Sequence, residues 1–233
     1  MTAPSEELQP AVPYGTPEAP RIAVRGEAHL EVDPEIARIG VTVASRGKDR
    51  RAALDDLTRR NTGVLDLIKT YGDAVERLET GAFSISPELK EKGRGERIHA
   101  YHGRVHITAE LTDFTALGEL TTRLADLDLT RVDGPWWALR PDSPAHREAR
   151  QQAVREAVQR AREYAEALGT SLTALLELAD IGAENAPQTR GGRMRSMAYA
   201  AEEDSAAPLD LEPQRQHVHA EVNARFTMAP PRL

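Results

Sequence analysis

Apolar and polar residues alternate in several separate segments of the chain, and this period of two constrains the fold more than any other feature. In RIAVRGEAHLEV, residues 21–32, and in HVHAEVNARFTM, residues 217–228, nearly every second side chain is apolar. Because successive strand residues point to opposite faces, each segment predicts a strand with one buried face. Further strands are predicted at residues 35–46, 77–87, 97–111, 131–140 and 172–181. The last of these, with LTALLELAD, also fits a helix.

Three segments between the predicted strands have the helical period instead. They are residues 49–71, a short stretch after Asp113, and residues 143–168. Asp49, Asp113 and Ser143 are predicted N-caps, since their side chains can accept bonds from the first free backbone N–H groups of a helix. The longest helix has an alanine-rich apolar side, which allows close packing on a neighbour.

The resulting element order, β-β-α-β-β-α-β-α-β-β, predicts an α+β protein with a mixed or antiparallel sheet and packed helices. The second to fifth strands spell βαββαβ, the pattern of a ferredoxin-like core. The first two strands are predicted to pair as a hairpin. A proline-rich, disordered tail is predicted over residues 1–20 and one domain over residues 21–229. That domain contains a long flexible loop at about residues 183–215.

Composition excludes several classes of function. The 233 residues contain no cysteine, which rules out thiolate chemistry, and the net charge of −7 argues against a nucleic-acid binder. No run of about 18 apolar residues occurs, so no membrane-spanning helix is expected. The first 20 residues lack a basic start followed by an apolar core, which predicts no signal peptide and a cytoplasmic location.

Histidines are the only side chains whose clustering suggests a ligand site. His102 and His106 share one face of a predicted strand, but about 13 Å separates them, so they cannot share a metal. His217 and His219 are only about 7 Å apart on one face. A metal would need another ligand from a neighbouring strand, and the available donors are His29, His102, His106 and Glu221. Solvated strand positions are the favoured interpretation, with His102, His217 and His219 as candidate metal ligands.

Other catalytic patterns are absent or weak. The chain has no G-x-S-x-G motif, and KGRGE joins two strands instead of opening a helix, so it predicts no phosphate site. RGGRMR is a basic run typical of a solvated loop. A hydrolase site in a groove beneath the 182–216 loop is a weaker alternative. Trp136 and Trp137 are adjacent, so one can lie in the core while the other lies at an interface, and both are interface candidates.

Several blocks together resemble the SIMPL-domain family. They are RIAVRGEAHLEVDPEIARIGVTV, the helix ending at Tyr71, RIHAYHGRVHITAELTDFTALGEL, the alanine-rich helix and the final HVHAEVNARFTM. The family's V-x-G-x-G opening corresponds to Val24-Arg25-Gly26-Glu27-Ala28, with alanine at the second glycine. The resemblance implies a bacterial protein of unknown molecular function, with a link to stress defence in some members and no agreed catalytic residues.

Taken together, the sequence predicts a non-catalytic SIMPL-like protein that uses no cofactor and acts through protein–protein contacts. Its expected partners are further copies of the same chain in a homo-oligomer, and an unidentified protein. Neither nucleic acid nor membrane is expected as a partner. The alternative is a protein that binds a metal or small ligand through its strand histidines.

Overall fold

A computed structural model describes residues 15–89, 98–180 and 209–232. The chain is α+β, with three α-helices and two antiparallel sheets in these ranges. The strands are β1 (Arg21–Val32), β2 (Ile36–Gly47), β3 (Val75–Leu89), β4 (Ile98–Leu111), β5 (Thr130–Ala138), β6 (Leu172–Asp180) and β7 (Gln216–Met228). The helices are α1 (Arg50–Lys69), α2 (Phe114–Ala125) and α3 (Pro144–Ala167), and a 3₁₀ turn at Gly72–Ala74 precedes β3.

The three predicted N-caps are confirmed. The Asp49 carboxylate accepts from the backbone N–H of Ala52 at 2.8 Å, and Asp113 accepts from two N–H groups at the start of α2. Ser143 accepts from Ala145 at 3.3 Å, one residue before Pro144 opens α3. Each bond satisfies a backbone donor that has no partner within the helix, which is why the helices begin where the sequence places them.

The elements form two compact units. The first unit contains β1, α3, β6 and β7, and its three strands lie in the order β1-β7-β6. Its core joins the inward residues of β1 and β7 to the buried alanines of α3: Val24, Ala28, Ala153, Ala157, Ala161, Val222, Ala224 and Phe226. Gly26 lies beneath α3, where an added Cβ would come within 2.1 Å of the Ala153 carbonyl oxygen. The small side chains therefore allow the helix to lie directly on the sheet.

The second unit contains β2 to β5 with α1 and α2, and its sheet has the order β3-β4-β2-β5. Its core is built of larger side chains. The fully buried members with the largest volume are Ile39, Val41, Val43, Val64, Ile68, Ile107, Leu111, Leu117, Leu120 and Leu124. Both helices cover the same face of the sheet, because the odd-numbered positions of β2 and β4 carry these apolar residues.

The predicted β1–β2 hairpin is wrong. β1 pairs with β7 in the first unit, whereas β2 lies between β4 and β5 in the second. The physical reason is side-chain size: the inward face of β1 is small and fits the alanine side of α3, whereas β2 carries the bulky face that α1 and α2 require. The segment LTALLELAD is a strand, β6, and not a helix.

Some sequence predictions fall outside the described residues. They are the KGRGE stretch at residues 92–96, residues 1–14 of the proline-rich tail, the RGGRMR run and most of the long loop. The last part of that loop, from Leu209, is described. The Leu209 N–H donates to the Thr122 hydroxyl at 3.1 Å, and the Leu209 carbonyl lies against Gly118 of α2.

Candidate functional site

The clearest cluster of chemically active side chains lies on the sheet face of the first unit that points away from α3. His29 of β1 and His219 of β7 stack their imidazole rings, with centroids 4.4 Å apart and an angle of 30° between the planes. Their Nδ1 atoms are separated by 3.2 Å. Two neutral imidazoles can make this contact only if one Nδ1 carries a proton and the other does not.

Two carboxylates lie near the opposite nitrogen of each ring. Glu27 Oε2 is 3.7 Å from His29 Nε2, and Glu221 Oε2 is 3.6 Å from His219 Nε2. Arg25 bridges both acids, at 2.8 Å from Glu27 and 2.5 Å from Glu221. The cluster therefore has a repeated arrangement, carboxylate–imidazole on each strand, with the two Nδ1 atoms in the middle.

Strand pairing assembles this cluster from residues that are about 190 positions apart. In β1 the even-numbered residues, such as Val24 and Ala28, face α3, so Arg25, Glu27 and His29 face outward. In β7 the same parity holds, and His219 and Glu221 face outward. Because β1 and β7 are neighbours in the sheet, the two outward rows become one surface.

The candidate ligand His102 has a different partner. Its Nε2 donates to Glu88 Oε2 at 2.7 Å across the β3–β4 pair, and Arg46 donates to the same oxygen at 2.9 Å. The hydrogen bond from His102, followed by that from Arg46, lowers the pKa of the Glu88 carboxyl. His102 could join His217 or His219 only if their strands were neighbours, and β4 and β7 belong to different sheets.

The remaining predicted donors are His217 and His106. His217 is exposed on β7, two residues before His219. His106 lies on the second unit's sheet, 3.3 Å from the Thr42 hydroxyl, with its ring over Gly40. Of the donors that spacing singled out, the structure brings together His219, His29 and Glu221 within the first unit. Across the described residues, no group of three His, Cys, Asp or Glu side chains converges on one metal position.

The tryptophan pair divides between core and surface. Trp137 packs against the second unit's core and meets the Phe114 ring edge-on, with centroids 4.8 Å apart. Trp136 points the other way and is 44% exposed. Trp136 therefore remains the interface candidate, whereas Trp137 has a packing role in this chain.

Open grooves accompany these clusters. One of about 420 Å³ runs along α3 and β6 in the first unit and is lined by Val158, Leu172, Leu175 and Phe226 among others. A second, of about 600 Å³, lies beside α1 and the end of α2, where Arg59, Arg60 and Arg123 approach it. Arg59 and Arg60 both bond to Asp56, and these hydrogen bonds, Arg60 first, lower the pKa of the Asp56 carboxyl.

None of the helices in the described ranges is long and apolar enough to cross a membrane.

Sequence reasoning missed Glu27 and Arg25 as members of the histidine cluster. The alternation in RIAVRGEAHLEV already places Arg25, Glu27 and His29 on one face. The missing information was the partner of β1, because the expected hairpin with β2 would have placed this face beside other residues.

The chain belongs to the SIMPL family. Residues 22–226 match the family described as "SIMPL: Protein of unknown function (DUF541)". The chain is 27% identical over 198 residues to the "26 kDa periplasmic immunogenic protein" of Brucella melitensis, covering 82% of this chain and 78% of that protein. The Brucella abortus protein of the same name gives the same identity and coverage. The "Uncharacterized protein YggE" of Edwardsiella ictaluri is 22% identical over 214 residues, 91% of this chain and 89% of that protein.

These relatives correct the predicted cytoplasmic location. Two of the proteins that match most of the chain are named as periplasmic, which contradicts the predicted cytoplasmic location. The prediction relied on the first 20 residues alone, whereas the similarity to the periplasmic proteins extends over the folded region. The resemblance to the SIMPL family, by contrast, is confirmed.

Proposed function

We propose that this chain is a non-catalytic SIMPL protein that acts through protein–protein contacts, the first of them with a second copy of itself along strand β6. The observation that carries the proposal is the surface of β6. Leu175, Leu176 and Leu178 are 54%, 42% and 47% exposed. β6 is also an edge strand of its sheet. An exposed edge strand with apolar side chains is a template for pairing with another strand.

The other sheet edges carry the features that normally prevent such pairing. β1 has Arg21, Arg25 and Glu27, and β5 has Arg131, Asp133 and a proline at position 135. β3 combines several charges with Pro87. Charged residues and prolines at an edge discourage addition of a strand, and β6 has only Glu177 and Asp180, both acidic.

A second copy of β6 fits this edge better than an unrelated acidic strand. An antiparallel pair centred on Leu176 would place Glu177 opposite Leu175 and Asp180 opposite Leu172, so no acid would face another acid. Glu177 is also paired within its own chain, with Arg225 at 2.6 Å. Such a contact is self-complementary about a twofold axis, the commonest symmetry of homo-oligomers. The groove along α3 and β6 adds apolar surface beside the same edge.

Four further parts of the proposal have other support. The absence of cysteine and of G-x-S-x-G supports a non-catalytic role. The names of the two Brucella relatives support a periplasmic location. A link to stress response remains a prediction of the family resemblance, and Trp136 remains the proposed contact for an unidentified protein partner.

We also infer that the second unit is a ferredoxin-like core. Its segments β2-α1-β3 and β4-α2-β5 support this, as does the order β3-β4-β2-β5 with β2 between β4 and β5. Cross-strand amide NOEs from β2 to both β4 and β5 are expected. NOEs between β2 and β3 would contradict the inference.

Light scattering after size exclusion, at micromolar protein concentration, tests self-association. The wild type is expected to be an oligomer, and Leu176→Lys is expected to shift it to the monomer mass. Leu54→Lys is the matched control, because Leu54 is similarly exposed, on α1. A wild type that is strictly monomeric, or a control that dissociates as readily as Leu176→Lys, contradicts the proposal.

A further inference from the structure

We propose that His29 and His219 form a binding site for a late first-row divalent metal ion, with Cu²⁺ bound most tightly. The site goes beyond the proposed role in self-association, since it lies on the outward face of β1 and β7 and not on the β6 edge. Its ligands are the two Nδ1 atoms, and water completes the coordination. Two imidazole nitrogens with oxygen ligands suit Cu²⁺, which binds such donors more tightly than the other first-row divalent ions do.

The distance between the two nitrogens fits a shared ion. Imidazole nitrogens bind such metals at about 2.0–2.1 Å, so two of them 3.2 Å apart subtend about 100–106° at the ion. That angle lies between the cis angle of a square site and the tetrahedral angle. Rotation of the rings also changes this distance, so the spacing shows that both nitrogens lie within reach of one ion.

Binding requires a rotation of the rings and no change in the backbone. The rings are stacked at 30°, whereas a ligated metal lies in the plane of each imidazole, so at least one ring must turn about its Cβ–Cγ bond. The side chains of His29 and His219 are 72% and 46% exposed, which leaves room for that rotation. The adjacent strands β1 and β7 keep the two Cβ atoms on one face throughout.

The two carboxylates explain why Nδ1 would be the ligand atom on both rings. When a metal occupies both Nδ1 positions, each neutral ring carries its proton on Nε2, and the nearby acids are Glu27 and Glu221. Donation from a ligand histidine to a carboxylate fixes the tautomer and strengthens the ligand. The present separations of 3.6–3.7 Å exceed a hydrogen bond, and ring rotation can shorten them. Arg25 holds both acids in position.

No net proton is released when neutral rings bind the ion. In the metal-free pair one Nδ1–H donates to the other Nδ1, and on binding that proton is replaced by one on the Nε2 of the same ring. Both protons then face carboxylates. The site has two protein ligands, consistent with the finding that no three donors converge on one position in the described residues. Moderate affinity and ready exchange of the ion are therefore expected.

Copper titration of the full chain, purified without a histidine tag, tests the proposal. Isothermal titration with Cu²⁺ is expected to give one site of moderate affinity per chain, with Zn²⁺ weaker. The electron paramagnetic resonance spectrum should show two nitrogen ligands. His29→Ala and His219→Ala should each weaken Cu²⁺ binding at least tenfold, and Glu221→Gln should weaken it about tenfold.

Two matched variants separate this site from incidental histidine binding. His217→Ala removes an exposed histidine from the same face of β7, and His102→Ala removes one from the second unit. Both should bind Cu²⁺ as the wild type does. Unchanged melting temperatures for all variants would show that the folds are intact. The proposal is overturned if the His29→Ala/His219→Ala double variant binds Cu²⁺ as tightly as the wild type, or if His217→Ala loses as much affinity as His219→Ala.

Discussion

The two sheets of this protein are covered by helices in opposite ways. In the first unit, α3 presents alanines to the inward faces of β1 and β7, and Gly26 permits direct contact with the helix backbone. In the second unit, α1 and α2 present leucine, valine and isoleucine to equally bulky strand residues. Side-chain volume therefore distinguishes the strands of the two units: strand faces with small side chains lie under α3, and faces with large side chains lie under α1 and α2. The first unit should therefore be sensitive to added volume, and the second to lost volume.

Removal of a buried leucine in the second unit is the largest expected effect. Leu120 of α2 is fully buried, and Leu120→Ala is expected to destabilise the protein by about 2–5 kcal/mol, because the cavity it leaves cannot fully collapse. Chemical denaturation measures the change. Leu54→Ala, at an exposed position of α1, is the control and should change stability by less than about 0.5 kcal/mol. Equal losses for both variants would contradict the proposed volume sensitivity.

Addition of one carbon in the first unit should also destabilise, by a smaller amount. Gly26→Ala places a Cβ within 2.1 Å of the Ala153 carbonyl oxygen and 2.6 Å of the Ala157 nitrogen, so α3 must move away from β1. The expected loss is about 1–3 kcal/mol, measured by denaturation. The same change at Gly63, whose added Cβ meets nothing within 4 Å on α1, should instead stabilise by up to about 1 kcal/mol. A neutral Gly26→Ala variant would show that the helix does not need this contact.

The smallest expected effect concerns pH and the exposed face of the second unit. The hydrogen bonds from His102 and Arg46 lower the pKa of Glu88 from its ordinary 4.5, so the ionised form is favoured in the folded state. That contribution is present above pH 4.5 and is lost as the pH falls through the lowered value. Glu88→Gln should therefore lower the melting temperature at pH 7, by at most about 3 °C since the pair is exposed, and have less effect at pH 3. Glu148→Gln on α3 is the control, and an equal pH dependence in both variants would refute the assignment.

Local patterns predicted the elements, and long-range pairing remained hidden. The N-caps Asp49, Asp113 and Ser143 could be predicted because each acts on its own helix. The partner of β1 could not be predicted, since any strand with an apolar face satisfies its period of two. The candidate site was predicted only in part for the same reason. Spacing identified His219 and gave His29 as one of several possible donors. Only the β1–β7 pairing selects His29, and only that pairing adds Glu27.

Hydrogen exchange of the β6 backbone tests directly the proposal that this chain associates through the exposed edge of β6. Exchange at residues 172–180 is compared at a dilute and a concentrated protein solution, with β3, the charged edge strand of the second unit, as internal reference. Exchange in β6 is expected to slow as concentration rises, while that in β3 stays constant, because a second β6 strand covers the open N–H groups. Exchange in β6 that is the same at both concentrations, in a sample whose mass shows association, would contradict it.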